Sequence, residues 1–173
     1  MRNRLRWALG LAVAACTVTA VVVGLGVEAG ADPGTVLKFE TMAPVSGPYV
    51  GATNPIRGVP GGGLPWIISG ANGRLDADGN LMVHVRGLVL ARQAPVPPNL
   101  QGTNPIPNFK GVVSCQSVSN GQAVVTNVST GLFPASADGD SHIDAQVALP
   151  KPCFAPIVFV TSPTGAWFAT TGA

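Results

Sequence analysis

The chain has 173 residues, with ten lysines and arginines against eight aspartates and glutamates, for a formal net charge of +2 at pH 7. Three of the arginines and one of the acids lie within the first 28 residues, so the charges of residues 32–173 balance. A balanced charge argues against a nucleic-acid-binding surface, and it gives no electrostatic attraction to a membrane or an anionic polymer.

The N-terminus has the pattern of an export signal. Arg2, Arg4 and Arg6 precede an uncharged run over residues 7–27, and Ala29-Gly30-Ala31 offers small residues where a signal peptidase cleaves. We therefore predict a helical signal peptide over residues 1–31, the general secretory route, and a location in the cell envelope or outside the cell. The run is also long enough to span a bilayer. An uncleaved anchor is thus an alternative, in which only this segment meets the membrane, and a lipoprotein cysteine at Cys16 is a third.

Proline and glycine are dense beyond the signal, where all 16 prolines and 18 of the 22 glycines lie. No segment there keeps apolar residues at helical spacing for ten residues without a breaker, so we predict strands and essentially no helix. Residues 35–42 alternate as a first strand. Residues 43–65, with five prolines and six glycines, are expected to form a long loop.

Residues 66–90 carry a hairpin signal. Two alternating runs flank Asp76-Ala77-Asp78-Gly79, where the aspartate can bond the backbone ahead and the glycine accepts a positive φ. A three-residue loop closed by a glycine bulge then pairs Asp76 with Asn80. This register gives a dry face with Leu75 opposite Leu81, Gly73 opposite Val83 and Ala71 opposite Val85, and a wet face with Arg74 opposite Met82, Asn72 opposite His84 and Gly70 opposite Arg86. Gly87 is expected to mark a bulge.

A second proline-rich loop, residues 94–109, precedes the remaining strands. These are predicted over residues 110–118, 122–128, 131–134, 142–149, 157–161 and 166–170, and Ser119-Asn120-Gly121 is a hairpin turn between the first two. Eight or nine strands predict an all-β fold with one domain over residues 32–173. We expect a two-sheet antiparallel sandwich, and both an Ig-like and a jelly-roll-like topology remain open.

Two cysteines, Cys115 and Cys153, lie beyond the signal. In an exported domain they most simply form one disulfide. Closing a loop of about 39 residues would stabilise the fold by roughly 4 kcal/mol in the chain-entropy model.

Four short motifs resemble uncharacterised secreted proteins of actinobacteria, over residues 66–172. They are Val83-His84-Val85-Arg86-Gly87-Leu88-Val89, Thr103-Asn104-Pro105-Ile106-Pro107, Val113-Ser114-Cys115, and Ala148-Leu149-Pro150 before Cys153. The resemblance implies export. It transfers no catalytic residue, because the group has no assigned activity.

His84 and His142 are the only histidines, and each is expected on the wet face of its strand. If the two strands are neighbours, His84, His142 and Asp144 could form a two-histidine, one-carboxylate metal site. The simpler interpretation is two isolated surface histidines, and on it we expect no metal. No phosphate loop, dinucleotide fingerprint or Cys-x-x-Cys motif is present, so we expect no cofactor.

The sequence Thr-Asn-Pro-Ile occurs twice, with Asn54-Pro55 and then Asn104-Pro105. Asn-Pro commonly starts a turn, so the echo can be simple reuse. Alternatively, the two loops form the lips of one binding surface, since loops often carry function.

The sequence therefore favours an exported binding or structural module with an envelope partner and no catalysis. Two alternatives remain. One is a small metal-dependent hydrolase that uses His84, His142 and Asp144. The other is a carrier of a small apolar ligand, held between the sheets by Trp66, Phe133 or Trp167.

Overall fold

The computed structural model describes residues 34–171. The strands are β1 (Thr35–Phe39), β2 (Ala43–Pro44), β3 (Trp66–Ile67), β4 (Gly70–Asp76), β5 (Asn80–Arg86), β6 (Val89–Leu90), β7 (Asn108–Ser119), β8 (Gln122–Pro134), β9 (Ser141–Gln146), β10 (Phe154–Thr161) and β11 (Trp167–Thr170). One 3-10 turn spans Gly47–Tyr49. The all-β prediction is confirmed.

The strands form three antiparallel sheets. One has the order β1-β4-β5-β9, the second has the order β2-β11-β10-β7-β8, and β3 pairs with β6 in a third. None of the helical segments within residues 34–171 is long and apolar enough to cross a membrane. The signal peptide, the anchor alternative and the lipoprotein alternative fall outside the described residues.

The register predicted for the β4–β5 hairpin is confirmed at all six pairs, from Gly70–Arg86 to Leu75–Leu81. Asp76 Oδ1 accepts hydrogen bonds from the backbone N–H groups of Asp78 (3.0 Å) and Asn80 (2.9 Å), and Gly79 has a φ of +87°. The aspartate and the glycine therefore act in the turn as their chemistry predicts.

Both larger sheets contribute to one hydrophobic core. The dry face of β4 and β5 lies in it with Ile143, together with Phe109, Val113, Val158 and Val160 of the second sheet. At Gly111 a Cβ atom would lie 3.0 Å from the Leu81 side chain and 3.4 Å from that of Ile143. The absence of a side chain at this position thus lets β7 approach the first sheet closely.

Several predicted strand boundaries are wrong, and the first strand, predicted over residues 35–42, ends at Phe39. Gly87 does not make a bulge inside a strand: its φ of +60° ends β5, and the chain resumes as β6 in another sheet. Residues 131–134 are not a separate strand but continue β8. The β7–β8 register shifts at Gly111, and there the N–H of Gly111 donates a hydrogen bond to Thr130 Oγ1 (3.0 Å), which keeps the two strands together. The strand predicted over residues 142–149 ends at Gln146. The N–H of the next residue, Val147, donates to the carbonyl of Gly79 instead of continuing the strand pairing.

Candidate functional site

The predicted disulfide is present and joins β7 to the residue that precedes β10. The Cα atoms of Cys115 and Cys153 are 5.0 Å apart. Cys115 is buried in β7, and Cys153 immediately precedes β10. The next residue after each cysteine is paired as well, Phe154 with Gln116. The disulfide therefore fixes the start of β10 beside β7.

His84 and His142 lie directly opposite each other on β5 and β9. Their imidazole rings are stacked, with centroids 4.3 Å apart and an interplanar angle of 23°. Both side chains are exposed. Neither ring forms a hydrogen bond to any residue in the described part of the chain. The strands that carry His84 and His142 are therefore neighbours, as the predicted metal site requires.

Asp144 lies two residues after His142 and opposite Met82. Within residues 34–171 no three His, Cys, Asp or Glu side chains are placed to hold a metal ion together. The structure therefore brings together the two imidazoles of the predicted metal site without its carboxylate. The hydrolase alternative stays a prediction.

The outer face around the histidine pair is polar and carries both signs of charge. In register, Lys38 pairs with Arg74, Arg74 with Met82, and Met82 with Asp144. A shallow depression beside His84 is lined by Lys38, Glu40, Asn72, Gly73, Arg74 and Met82. Charges of both signs therefore lie on this face, with the cations Lys38 and Arg74 adjacent to each other and the anion Asp144 on the other side of Met82.

The two Asn-Pro loops have different structural surroundings. Asn54 is exposed, and its Nδ2 donates to the carbonyl of Pro48 (2.6 Å). Asn104 is 8% exposed, and its Nδ2 donates to the carbonyls of Ile106 and Ser136 (both 2.8 Å). Within the described residues, no hydrogen bond links the two loops. The buried Asn104 side chain therefore hydrogen-bonds its own loop to the segment before β9.

Trp66 and Trp167 are buried and belong to separate aromatic groups. The Trp66 ring stacks on Phe168 with centroids 4.0 Å apart, whereas Trp167 contacts Tyr49 and Phe159 at 6.3 and 6.2 Å. Trp167 and Phe168 are adjacent in β11, so their side chains leave opposite faces of the sheet. The two tryptophans therefore do not line one common pocket.

Phe133, the third residue of the predicted apolar lining, is partly buried and packs against the core. It lies opposite Phe109 in the β7–β8 pair. The carrier alternative stays a prediction.

Sequence reasoning missed an exposed apolar group on the outer face of the second sheet. Phe154, Val125 and Val118 are 59%, 50% and 49% exposed. Phe154 and Val125 flank Gln116 in register, and Val118 follows Gln116 by two residues and so shares its face. These side chains, together with the free edge of β8, are called the hairpin surface below.

Strand β8 lies at the edge of the second sheet. It is 13 residues long and contains no charged residue. Among residues 34–171, the only pairing on its far side comes just past its end, between Ala135 and Ser141. An edge strand of this kind presents unpaired N–H and C=O groups. The uncharged, valine-rich sequence was a signal for this property, but the edge position requires the sheet order.

A loop covers the part of the same outer face next to the hairpin surface. Arg57 Nη1 donates to the carbonyls of Ser114 (3.0 Å) and Ala155 (2.8 Å), and its own carbonyl accepts from Asn127 Nδ2 (3.0 Å). The three bonds fasten the loop across β10, β7 and β8. Phe154 and Val125 lie beyond this loop, so they remain open.

No protein-family model, no curated protein and no solved structure matches this chain.

Proposed function

We propose that this protein is an exported β-sandwich of the cell envelope or the extracellular space, and that it works by binding another polypeptide through the hairpin surface. The sandwich architecture is supported by the single core that the two larger sheets share. Export is supported by the N-terminal sequence and by the disulfide, because disulfides persist mainly in oxidising compartments.

The observation that carries this proposal is the exposed group Val118, Val125 and Phe154 beside a free strand edge. Single exposed apolar side chains are ordinary on a protein surface, whereas three of them grouped around Gln116 on one face, beside an unpaired strand edge, indicate an interaction site. Edge strands are usually protected by charged residues, proline or a covering segment. β8 has no charge until it ends at Pro134.

The partner that fits this surface is an extended polypeptide segment without charge and with apolar side chains at alternate positions. Such a segment adds to β8 as a further antiparallel or parallel strand, and its main chain pairs with the free edge. Its alternate side chains then pack beside Val125. A charged segment would be disfavoured, because no opposite charge on β8 would balance it.

Capture from envelope extract, with matched variants, tests this proposal. The binding variant is Val118→Ser, Val125→Ser and Phe154→Ser together. The control is Val36→Ser with Ile67→Ser, which removes exposed apolar side chains elsewhere on the surface (44% and 37% exposed). We expect the wild type and the control to retain a polypeptide that the binding variant loses.

Hydrogen exchange then identifies the mode of binding. The amides of residues 122–130 should become protected in the complex if a strand adds to β8. A concentration-dependent dimer that the binding variant abolishes would identify a second copy of this chain as the occupant. Equal capture by the wild type and the binding variant would refute the hairpin surface as the binding site.

A further inference from the structure

The stacked histidines form an arrangement that the proposed function does not use. They lie on the outer face of the β1-β4-β5-β9 sheet, whereas the hairpin surface belongs to the other large sheet. Both imidazoles are exposed, and no hydrogen bond within residues 34–171 occupies their nitrogens. Two unoccupied imidazoles in contact on a surface are chemically available to a ligand.

We infer that His84 and His142 together bind a transition-metal dication, with preference for Cu²⁺ over Ni²⁺ and Zn²⁺. Imidazole nitrogen is a good ligand for all three ions, and the affinity of a nitrogen site rises to Cu²⁺ and falls again at Zn²⁺. Ca²⁺ and Mg²⁺ are excluded as occupants because they need several oxygen ligands.

Chelation uses one nitrogen from each ring. A dication binds imidazole nitrogen at about 2.0–2.1 Å. Two adjacent ligands of one ion are therefore roughly 3 Å apart. The ring centroids are 4.3 Å apart with planes 23° from parallel, so both imidazoles are within reach of a single ion. The nitrogen lone pairs lie in the ring planes, so the exposed side chains must rotate out of the stacked arrangement before one nitrogen of each ring can converge on the ion. Water completes the coordination on the solvent side.

The strands hold the two rings together in the absence of an ion. His84 and His142 are a direct cross-strand pair in a regular ladder of six pairs between β5 and β9. Only the side-chain rotamers have to be fixed when the ion binds, so the entropic cost is lower than for two histidines on separate loops.

Copper binding is measured on the purified protein without a histidine tag. The chain has only two histidines, so every imidazole signal in the Cu²⁺ electron paramagnetic resonance spectrum comes from this pair. The variants are His84→Gln and His142→Gln. Asp144→Asn is the matched control, because it is exposed, lies on the same strand as His142 and changes charge without removing an imidazole.

We expect one Cu²⁺ per chain with two coordinated imidazoles. Each glutamine variant should retain one imidazole signal and bind at least about tenfold more weakly, which corresponds to about 1.4 kcal/mol. Asp144→Asn should bind within about twofold of the wild type. Circular dichroism of each variant shows that a loss of binding is not a loss of fold.

Three results would overturn the inference. The first is a copper spectrum of the wild type with fewer than two imidazoles. The second is an unchanged affinity in either glutamine variant. The third is a loss of Cu²⁺ affinity in Asp144→Asn as large as in the glutamine variants. That result would show that surface charge, and not chelation by two imidazoles, holds the ion.

Discussion

Replacing the asparagine in each copy of the Thr-Asn-Pro-Ile sequence should have very different effects on stability. Asn104→Ala removes three hydrogen bonds: two from Nδ2 to the carbonyls of Ile106 and Ser136, and one from the Ile106 N–H to Oδ1 (2.8, 2.8 and 2.9 Å). Asn54→Ala removes one exposed bond, to the carbonyl of Pro48.

The magnitudes follow from burial. Each hydrogen bond is worth about 1 kcal/mol net, and groups left buried without a partner cost more. Asn104 is 8% exposed, so Asn104→Ala should lower the free energy of unfolding by about 3 kcal/mol. Asn54→Ala should lower it by less than about 0.5 kcal/mol, as for other exposed substitutions.

Urea unfolding of the wild type and both variants measures these differences. The two sites share the same flanking residues, including the following proline, so local backbone preferences largely cancel in the comparison. Asn104→Asp adds a further test, because a carboxylate would face two carbonyl oxygens and should also destabilise. If Asn54→Ala lowered the free energy of unfolding by as much as Asn104→Ala or more, the stabilising role of the buried Asn104 hydrogen bonds would be refuted.

Three further predictions concern the β4–β5 hairpin. Val83→Asp places an unpaired charge in the core, where Val83 has no exposed surface, and should lower the free energy of unfolding by several kcal/mol. His84→Ala on the outer face should lower it by well under about 1 kcal/mol. Thermal melts that show an equal or larger loss of stability at His84 would contradict the assigned faces. Gly79→Ala should destabilise by more than about 1 kcal/mol in the same assay, because φ is +87° and the new Cβ would lie 2.0 Å from a backbone oxygen. Hydrogen bonds from the Asn80 side chain and backbone are the main cause that lowers the pKa of Asp76 from 3.8. The Asp76 carboxylate therefore stabilises the folded state above pH 3.8. This stabilisation is lost as the pH falls through the lower pKa of the folded state. The stability difference between the wild type and Asp76→Asn should therefore shrink below pH 3.8, and a difference that stays constant with pH would count against this role of the charge.

Local chemistry made the hairpins predictable. The alternation of β4 and β5 and the turn residues at Asp76 and Gly79 fix a register without reference to any other strand. The β7–β8 turn is similar, since Asn120 and Gly121 adopt the positive φ values (50° and 75°) of a two-residue hairpin loop. These features depend on neighbours in the sequence.

Non-local contacts account for most of the errors. β3 and β6 have two residues each and no readable period, so the pairing of Trp66 with Leu90 leaves no pattern in the sequence. The sequence predicted two strands, over residues 122–128 and 131–134, where the structure has the single strand β8. The strand continues because the hydroxyl of Thr130 accepts a hydrogen bond from the N–H of Gly111 on the neighbouring strand. A side chain that replaces a backbone partner across the sheet cannot be read from one strand alone.

The candidate sites depend on the same kind of information. The sequence placed His84 and His142 on wet faces, but their contact depends on β5 and β9 being neighbours, which the chain order does not dictate. The exposure of Val125 similarly depends on β8 being the last strand of its sheet. Alternation gives the face of a residue, whereas the sheet order determines its neighbours.

The disulfide connects the predicted export to the proposed binding surface. Cys153 holds the chain immediately before Phe154, and Cys115 immediately precedes Gln116, which Phe154 faces in register. Residues 154–157 are otherwise irregular, with a shift in the β10–β7 register and a positive φ of 42° at Ala155. Few ladder bonds therefore hold Phe154 in place, and the constraint comes from the disulfide before it and the Arg57 bond to the Ala155 carbonyl after it. We expect a reduced chain to retain the core face of β10 but to lose the fixed position of Phe154 opposite Gln116. We therefore propose that the hairpin surface is fully formed only where the disulfide can form, which is the kind of compartment that the N-terminal sequence predicts.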